Sequence, residues 1–231
     1  VKKYGIDLSL YEKRIVDSYN DFFTRKIRVE ERPVNPDANA LVSPSDGKVS
    51  VYKIHENGHF LIKHTEYTLE QLLQDKKLAK RYLDGHIYVI RLTVDDYHRY
   101  CYAADGRKSE QRKIAGILHT VNPVANDVCP IYKMNSREYC LIKTEQFGTL
   151  LQMEVGALMV GKISNNQQGL GFVHKGVEKG RFEFGGSTII LLTQKNVVIP
   201  DRDLLEHTGS GMETLVKMGE QIGRSANRLD A

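Results

Sequence analysis

The segment that most constrains the fold is Gly185-Gly186-Ser187-Thr188, which directly precedes the apolar run at residues 189–192. Four consecutive aliphatic residues predict a buried strand, and glycines allow the backbone before it to bend sharply. In such a bend the Ser187 hydroxyl can attack the Gly186 carbonyl and convert the amide into an ester. Elimination and hydrolysis would leave a pyruvoyl group at position 187, an electron sink that no ordinary side chain supplies. Taken alone, the four residues are better explained by a plain turn entering a strand.

Size and composition predict a single globular domain over residues 1–231. The chain is 41% hydrophobic and 27% charged, which is ordinary for a globular protein. Its net charge of +4 is spread along the chain without a basic tract, which argues against a nucleic-acid partner. Cys101, Cys129 and Cys140 form no C-x-x-C pair, which favours a reducing compartment over a disulfide or zinc framework. The longest apolar stretch, residues 155–160, is too short to span a bilayer; since the chain begins at Val1, we expect sequence upstream.

Short apolar or alternating runs from residue 41 onward predict an α+β fold, with a β-rich single core and peripheral helices. The predicted strands are residues 48–54, 86–92, 139–143, 149–155, 158–163 and 188–193. A capping pattern at Thr68 predicts one helix, and another is expected around Leu204. Apolar residues at helical spacing and a second capping pattern at Ser9 predict an N-terminal amphipathic helix over the first 27 residues. That helix could pack against the core or lie on a membrane surface.

Polar side chains with acid–base capacity directly follow the predicted strand at residues 86–92. Asp96, His98 and Arg99 there supply a carboxylate, a proton shuttle and a fixed cation at a strand end, where scaffolds present functional groups. Asp46 belongs to an Asp-Gly pair typical of a turn. The remaining histidines show no shared helical face, so no metal site is predicted.

Seven segments, in this order, resemble motifs of the phosphatidylserine decarboxylase family. They are Phe22-Phe23-Thr24-Arg25 with Arg32-Pro33, Ser43-Pro44-Ser45-Asp46-Gly47, the stretch from Tyr67 to Gly85, Asp96-Tyr97-His98-Arg99, Val121-Asn122-Pro123, Asn135-Ser136-Arg137, and Lys179-Gly180 through Gly185-Gly186-Ser187-Thr188. The resemblance covers most of the chain. In the family the fourth motif usually continues to a second histidine, whereas this chain has Cys101.

The resemblance implies a proenzyme that cuts itself between Gly186 and Ser187 into a β chain (1–186) and an α chain (187–231). Ser187 would be the nucleophile and would become the covalent pyruvoyl cofactor. A histidine would be the base and Asp46 would orient it. With Cys101 in the second position, the base is either His98 or a Cys101 thiolate.

We assign His98 both the cleavage step and the later protonation of the carbanion, with Asp96 as its support. Arg99, Phe22, Phe23 and Arg25 are the expected substrate-binding residues.

The resemblance further implies decarboxylation of phosphatidylserine to phosphatidylethanolamine and CO2. The expected partners are phosphatidylserine, a phospholipid membrane surface and the two-chain heterodimer, with a homodimer of that unit as a further expectation. The expected location is peripheral, on the cytoplasmic face of the cell membrane. Two alternatives stay open: a pyruvoyl decarboxylase of a soluble amino acid, and a non-catalytic β-rich binding module.

Overall fold

A computed structural model describes residues 6–12, 16–62, 65–116, 134–156, 162–183 and 187–226, and β-strands dominate it. The strands are β1 Ala40–Val42, β2 Gly47–Lys53, β3 His59–Ile62, β4 Thr65–Thr68, β5 His86–Leu92, β6 Arg99–Cys101, β7 Gly106–Lys108, β8 Arg112–Ile114, β9 Arg137–Lys143, β10 Thr149–Val155, β11 Ile163–Asn165, β12 Gly171–Val173, β13 Glu178–Phe182, β14 Ser187–Thr193, β15 Val198–Pro200, β16 Thr214–Val216 and β17 Gln221–Ser225. The helices are α1 Tyr19–Phe23, α2 Leu69–Leu73, α3 Lys76–Ala79 and α4 Arg202–Gly209, and 3-10 turns span Leu8–Leu10, Val29–Glu31 and Lys80–Tyr82. The β-rich core predicted from the sequence is confirmed.

A nine-stranded antiparallel sheet, here called the large sheet, organises the molecule. Its strand order is β12-β7-β9-β10-β14-β5-β2-β16, and β8 pairs with β9. β14 lies at its centre, between β10 and β5. Every residue of β14 is buried, which explains why its sequence is a continuous apolar run and not an alternating one.

The two faces of the large sheet bury different clusters because successive side chains of a strand point to opposite sides. Ile190 and Leu192 of β14 pack with helices α2 and α3 on one face. Ile189 and Leu191 pack on the other face with Tyr100 and Phe182. The last two side chains belong to a three-stranded antiparallel sheet of order β11-β13-β6, here called the small sheet.

Several predicted elements are confirmed. The strands at residues 86–92 and 149–155 have the predicted bounds, and the strand predicted from 188 begins one residue earlier, at Ser187. Thr68 caps α2 by accepting a hydrogen bond from Gln71 N, as its capping pattern indicates. The strand predicted at 158–163 falls mostly outside the described residues, although Ile163 begins β11.

The N-terminal segment differs from the single amphipathic helix predicted for it. In its described part, Asp7 caps the 3-10 turn Leu8–Leu10, and Tyr11 pairs with Ile27 in an antiparallel bridge. A separate short helix, α1, is capped by Ser18. Polar side chains that bind the local backbone therefore start two short helical turns where the periodicity predicted one long helix. The prediction that Ser9 caps a helix was wrong, because Asp7 is the cap and Ser9 lies inside the turn.

Residues 187–226 pair with several strands of the preceding chain. β14 is hydrogen-bonded on both sides, β16 pairs with β2, and β17 lies between β1 and β15. The turn between β16 and β17 adds main-chain hydrogen bonds in which Gly219 N donates to Ser43 O and Ser43 N donates to Glu220 O. Separation of this segment would therefore expose the middle of the large sheet.

Candidate active site

Ser187 is the first residue of β14 and lies opposite Leu92, the last residue of β5. It points to the same face as Ile189 and Leu191, since all three alternate with Thr188 and Ile190 along the strand. Its side chain therefore faces the small sheet. The Ser187 hydroxyl is buried and has no hydrogen-bond partner among the described residues, which is unusual for a buried polar group. Gly185 and Gly186 lie outside the described residues.

His98 is fully buried and directly precedes β6 in the small sheet. Its Nδ1 lies 2.9 Å from the Asp96 carbonyl oxygen. A carbonyl can only accept a hydrogen bond, so Nδ1 carries the proton and Nε2 keeps its lone pair. Nε2 has no partner within the described part of the chain. Burial lowers the pKa of His98 to about 3, which leaves the ring neutral near pH 7 and Nε2 available as a base.

The segment that joins β13 to β14 begins after Phe182, which is hydrogen-bonded to His98, and ends at Ser187. At its upstream end, Phe182 N donates to His98 O at 2.9 Å. At its downstream end Ser187 pairs with Leu92, six residues before His98. The fold thus brings the predicted nucleophile and the predicted base to the two ends of one short segment. Both reacting atoms lack partners, so Ser187 and His98 are not hydrogen-bonded to each other in this state.

Asp96 supports His98 through its main chain and not through its carboxylate. The carboxylate accepts hydrogen bonds from Thr93 N at 2.6 Å and from the Thr93 hydroxyl at 2.9 Å. These bonds close the turn that follows β5 and place the Asp96 carbonyl against His98.

Asp46 lies in the expected turn, but its carboxylate has partners other than the expected histidine. It forms a bidentate ion pair with Arg32, whose Nε lies at 2.7 Å and whose terminal nitrogen also donates to it. It accepts a further hydrogen bond from Met218 N at 2.9 Å. Asp46 therefore joins three distant segments of the chain, and its described contacts do not orient His98.

Cys101 is a poor candidate for a base. It is fully buried, and burial raises the pKa of its thiol to about 12. A cysteine of that pKa stays protonated at neutral pH. Of the two groups that the sequence left open, His98 is therefore the one that can accept a proton.

A cleft of about 390 Å³ lies among residues of the N-terminal segment and Arg99; it is here called the cleft beside His98 because Arg99 directly follows that residue. Its lining combines apolar side chains with cations and two carboxylates: Leu8, Tyr11, Glu12, Val16, Asp21, Phe22, Arg25, Lys26 and Arg99. Of the four predicted substrate-binding residues, Phe22, Arg25 and Arg99 line it. Phe23 instead packs its ring on His98, with 3.8 Å between ring centroids.

Two arginines of the cleft are held in place by the protein. The Arg25 guanidinium lies over the Tyr11 ring at 4.4 Å and donates to the Tyr11 hydroxyl and to Phe22 O. Arg99 donates to Thr24 O and forms an ion pair with Glu178 at 2.9 Å. Tyr11 was missed by the sequence analysis, because only its bridge to Ile27 brings it to the cleft and no periodicity predicts such a bridge.

The described residues show neither a membrane-crossing helix nor a metal centre. No helix among them is long and apolar enough to cross a bilayer. No group of three or more His, Cys, Asp or Glu side chains in the described ranges could hold a metal ion.

Comparison with known proteins gives a consistent result. The model of the family described as phosphatidylserine decarboxylase matches residues 19–224. Phosphatidylserine decarboxylase proenzyme 2 of Clostridium acetobutylicum is 46% identical over 225 residues, which cover 97% of this chain and 77% of that protein. The phosphatidylserine decarboxylase proenzyme of Fusobacterium nucleatum is 42% identical over 231 residues, 98% of this chain and 77% of the relative, and that of Clostridium perfringens is 40% identical over 227 residues, 96% and 77%. The chain therefore belongs to the phosphatidylserine decarboxylase family.

Proposed function

We propose that this chain is a self-processing, pyruvoyl-dependent carboxy-lyase that converts phosphatidylserine to phosphatidylethanolamine and CO2. The observation that carries the chemistry is the pair of buried, unpartnered atoms, Ser187 Oγ and His98 Nε2, at the two ends of the β13–β14 connection. Leaving two polar atoms unpaired in a protein interior costs free energy. A catalytic role is one recognised reason for a buried polar atom to lack a partner, and here the two atoms are a nucleophile and a base.

Self-cleavage would begin with attack of Ser187 Oγ on the Gly186 carbonyl carbon. His98 Nε2 accepts the hydroxyl proton, the amide C–N bond breaks, and the nitrogen of residue 187 receives a proton. Elimination then removes the Cα proton of residue 187 and breaks its Cβ–O bond, which releases the Gly186 carboxylate and leaves dehydroalanine. Proton transfer to Cβ gives the imine, which water hydrolyses to the ketone with release of ammonia. Because burial makes protonation of His98 unfavourable, we expect this single-turnover step to be slow.

The residues around Ser187 fit a pyruvoyl group. The hydroxyl from which it would form has no partner among the described residues, and it lies on a strand that is buried along its whole length. When present, the group supplies an electron sink that stabilises the carbanion left by loss of CO2. His98 is the described side chain placed to deliver a proton afterwards. Residues 1–186 and 187–231 would stay together as a heterodimer, since β14 is paired on both sides.

The cleft beside His98 is our proposed substrate site. Its cation Arg25 suits the phosphate or carboxylate of the substrate, whereas Lys26 is paired with Glu12 at 3.0 Å. Leu8 and Val16 at the cleft are about half exposed, and so is nearby Tyr19. An apolar rim next to cations suits a bilayer surface, where acyl chains can remain in lipid. A peripheral position on the cytoplasmic face of the cell membrane is part of the same proposal.

The test is an assay of the purified protein on vesicles that contain phosphatidylserine, with release of CO2 and formation of phosphatidylethanolamine as readouts. We expect activity in the natural chain and none in Ser187→Ala. Activity of Ser187→Ala on phosphatidylserine would contradict the proposal. Turnover of free serine in place of the lipid would instead support the alternative of a soluble amino-acid substrate.

A further inference from the structure

Two polar side chains of β10 reach across from the large sheet to the small sheet. Gln152 and Glu154 are both fully buried and lie two residues apart, so they point to the same face. That face is the one to which Ser187 points, since Glu154 pairs with Ile189 and Gln152 with Leu191.

Glu154 holds β13. The Lys179 ammonium donates to Glu154 Oε2 at 2.6 Å and to Asn165 Oδ1 at 2.8 Å, and neither side chain of this ion pair is exposed. The pairing of β13 with β6 shifts register between Glu178 and Gly180. Lys179 is thus the extra residue of a β-bulge, a feature that re-aims a side chain, and here it turns the ammonium inward.

Gln152 holds β6. Its side-chain amide donates to Cys101 O at 2.9 Å and accepts from Ala103 N at 3.3 Å. Cys101 lies three residues after His98 on β6, and Lys179 lies three residues before Phe182 on β13. Each contact therefore lies three residues along its strand from the hydrogen bond that joins Phe182 to His98.

Stability alone gives a weak reason for this arrangement. A buried ion pair is often replaceable by apolar residues without loss of stability, because desolvation offsets the attraction. Glu154 also keeps its second oxygen, Oε1, buried and without a partner among the described residues. These contacts fix the relative position of the two sheets. β10 pairs directly with β14, which carries Ser187, and its side chains bind β6 and β13 of the small sheet, next to His98.

We propose that Gln152, Glu154 and Lys179 are positioning residues for self-cleavage. They set the small sheet, with His98 and the upstream end of the cleaved segment, at a fixed distance from Ser187 on the large sheet. This inference rests on the proposed self-cleavage. A displacement of about 1 Å between reacting groups can cost on the order of a hundredfold in rate.

The experiment follows cleavage by intact mass against time after cell-free synthesis. The variants are Glu154→Gln combined with Lys179→Met, which removes both charges together, and separately Gln152→Met. We expect cleavage to be about tenfold to a hundredfold slower in each. We also expect an unchanged pH dependence, because the base is still His98, and a thermal midpoint close to that of the natural chain.

Lys108→Met is the matched control. Lys108 is also a buried lysine, but it donates to the carbonyls of Ser109, Gln168 and Gly169, none of which belongs to a strand of the small sheet. If Lys108→Met slows cleavage as much as the double variant does, the effect is general stability and the inference fails. It fails equally if both test variants cleave at the natural rate. An uncut natural chain would contradict the proposed function itself, and the inference with it.

Discussion

The two halves of the site are built by different means. Ser187 belongs to a strand that is hydrogen-bonded to β10 and β5 and is buried along its whole length. The cleft beside His98 is built from the N-terminal segment, where a 3-10 turn, a single bridge and a five-residue helix follow one another. The contrast indicates that the reacting serine is fixed by the core, whereas the substrate surface depends on a few local contacts. Changes in the first half should therefore affect chemistry, and changes in the second should affect recognition.

The largest expected effect comes from His98→Phe. The Phe ring can keep the packing on Phe23 but has no lone pair, so we expect self-cleavage to slow about a thousandfold. Intact mass against time after synthesis measures it, with His174→Phe as the control because that ring is largely exposed. Cleavage of His98→Phe at the natural rate would remove His98 from the reaction.

The sequence predicted the first half of the site far better than the second. β5 and β14 could be located because strands buried on both faces read as uninterrupted apolar runs. Their partners could not be located, because pairing depends on residues far apart in the chain. The N-terminal helix was mispredicted because Asp7 and Ser18 bind nearby backbone groups and interrupt a pattern that periodicity alone assigns to one helix.

The role of Asp46 shows a further limit. The turn was predictable from its Asp-Gly pair, but the ion pair with Arg32 and the bond from Met218 N depend on tertiary structure. Likewise, nothing in the sequence indicates that Lys179 sits in a bulge, since a bulge is a property of two paired strands.

Acid pH should lower the stability of the folded protein through its buried histidines. Burial lowers the pKa of His98 to about 3 and that of His86 to about 4, whereas an unfolded histidine has a pKa of about 6.5. Below about pH 6.5 the unfolded state binds protons that the folded state does not, so stability falls as the pH falls towards these folded-state pKa values. For His98 the loss is about 4 kcal/mol between about pH 6.5 and pH 3.5.

Denaturant unfolding at several pH values measures this effect. We expect a shallower pH dependence of the free energy of unfolding in His98→Phe than in the natural chain. Equal slopes in the two proteins would show that His98 titrates normally when folded.

In the cleft half, Arg25→Met should impair recognition without stopping cleavage. Its loss removes a charge that we assign to the substrate phosphate or carboxylate, and we expect kcat/KM on phosphatidylserine vesicles to fall about tenfold to a hundredfold. Arg112→Met, which removes a largely exposed arginine, is the control. If self-cleavage slowed as much as kcat/KM fell, Arg25 would instead contribute to self-cleavage and not only to substrate recognition.

The smallest expected effect concerns Val16. Its side chain is about half exposed beside the cleft, so Val16→Ser should weaken binding to phosphatidylserine vesicles about fivefold through lost apolar contact. Leu215→Ser is the matched control, since Leu215 is 72% exposed on the edge strand β16. Vesicle co-sedimentation measures the binding of both variants. If Val16→Ser and Leu215→Ser weaken it equally, the rim of the cleft is not the membrane contact.

The most direct test of the account is the intact mass of the purified protein under denaturing conditions. We expect two fragments that meet between Gly186 and Ser187, the smaller lighter than a serine-started peptide by the mass of ammonia. That deficit would establish a pyruvoyl group formed from Ser187. An uncut chain, or a smaller fragment that still begins with serine, would contradict the central claim that this strand carries the cofactor.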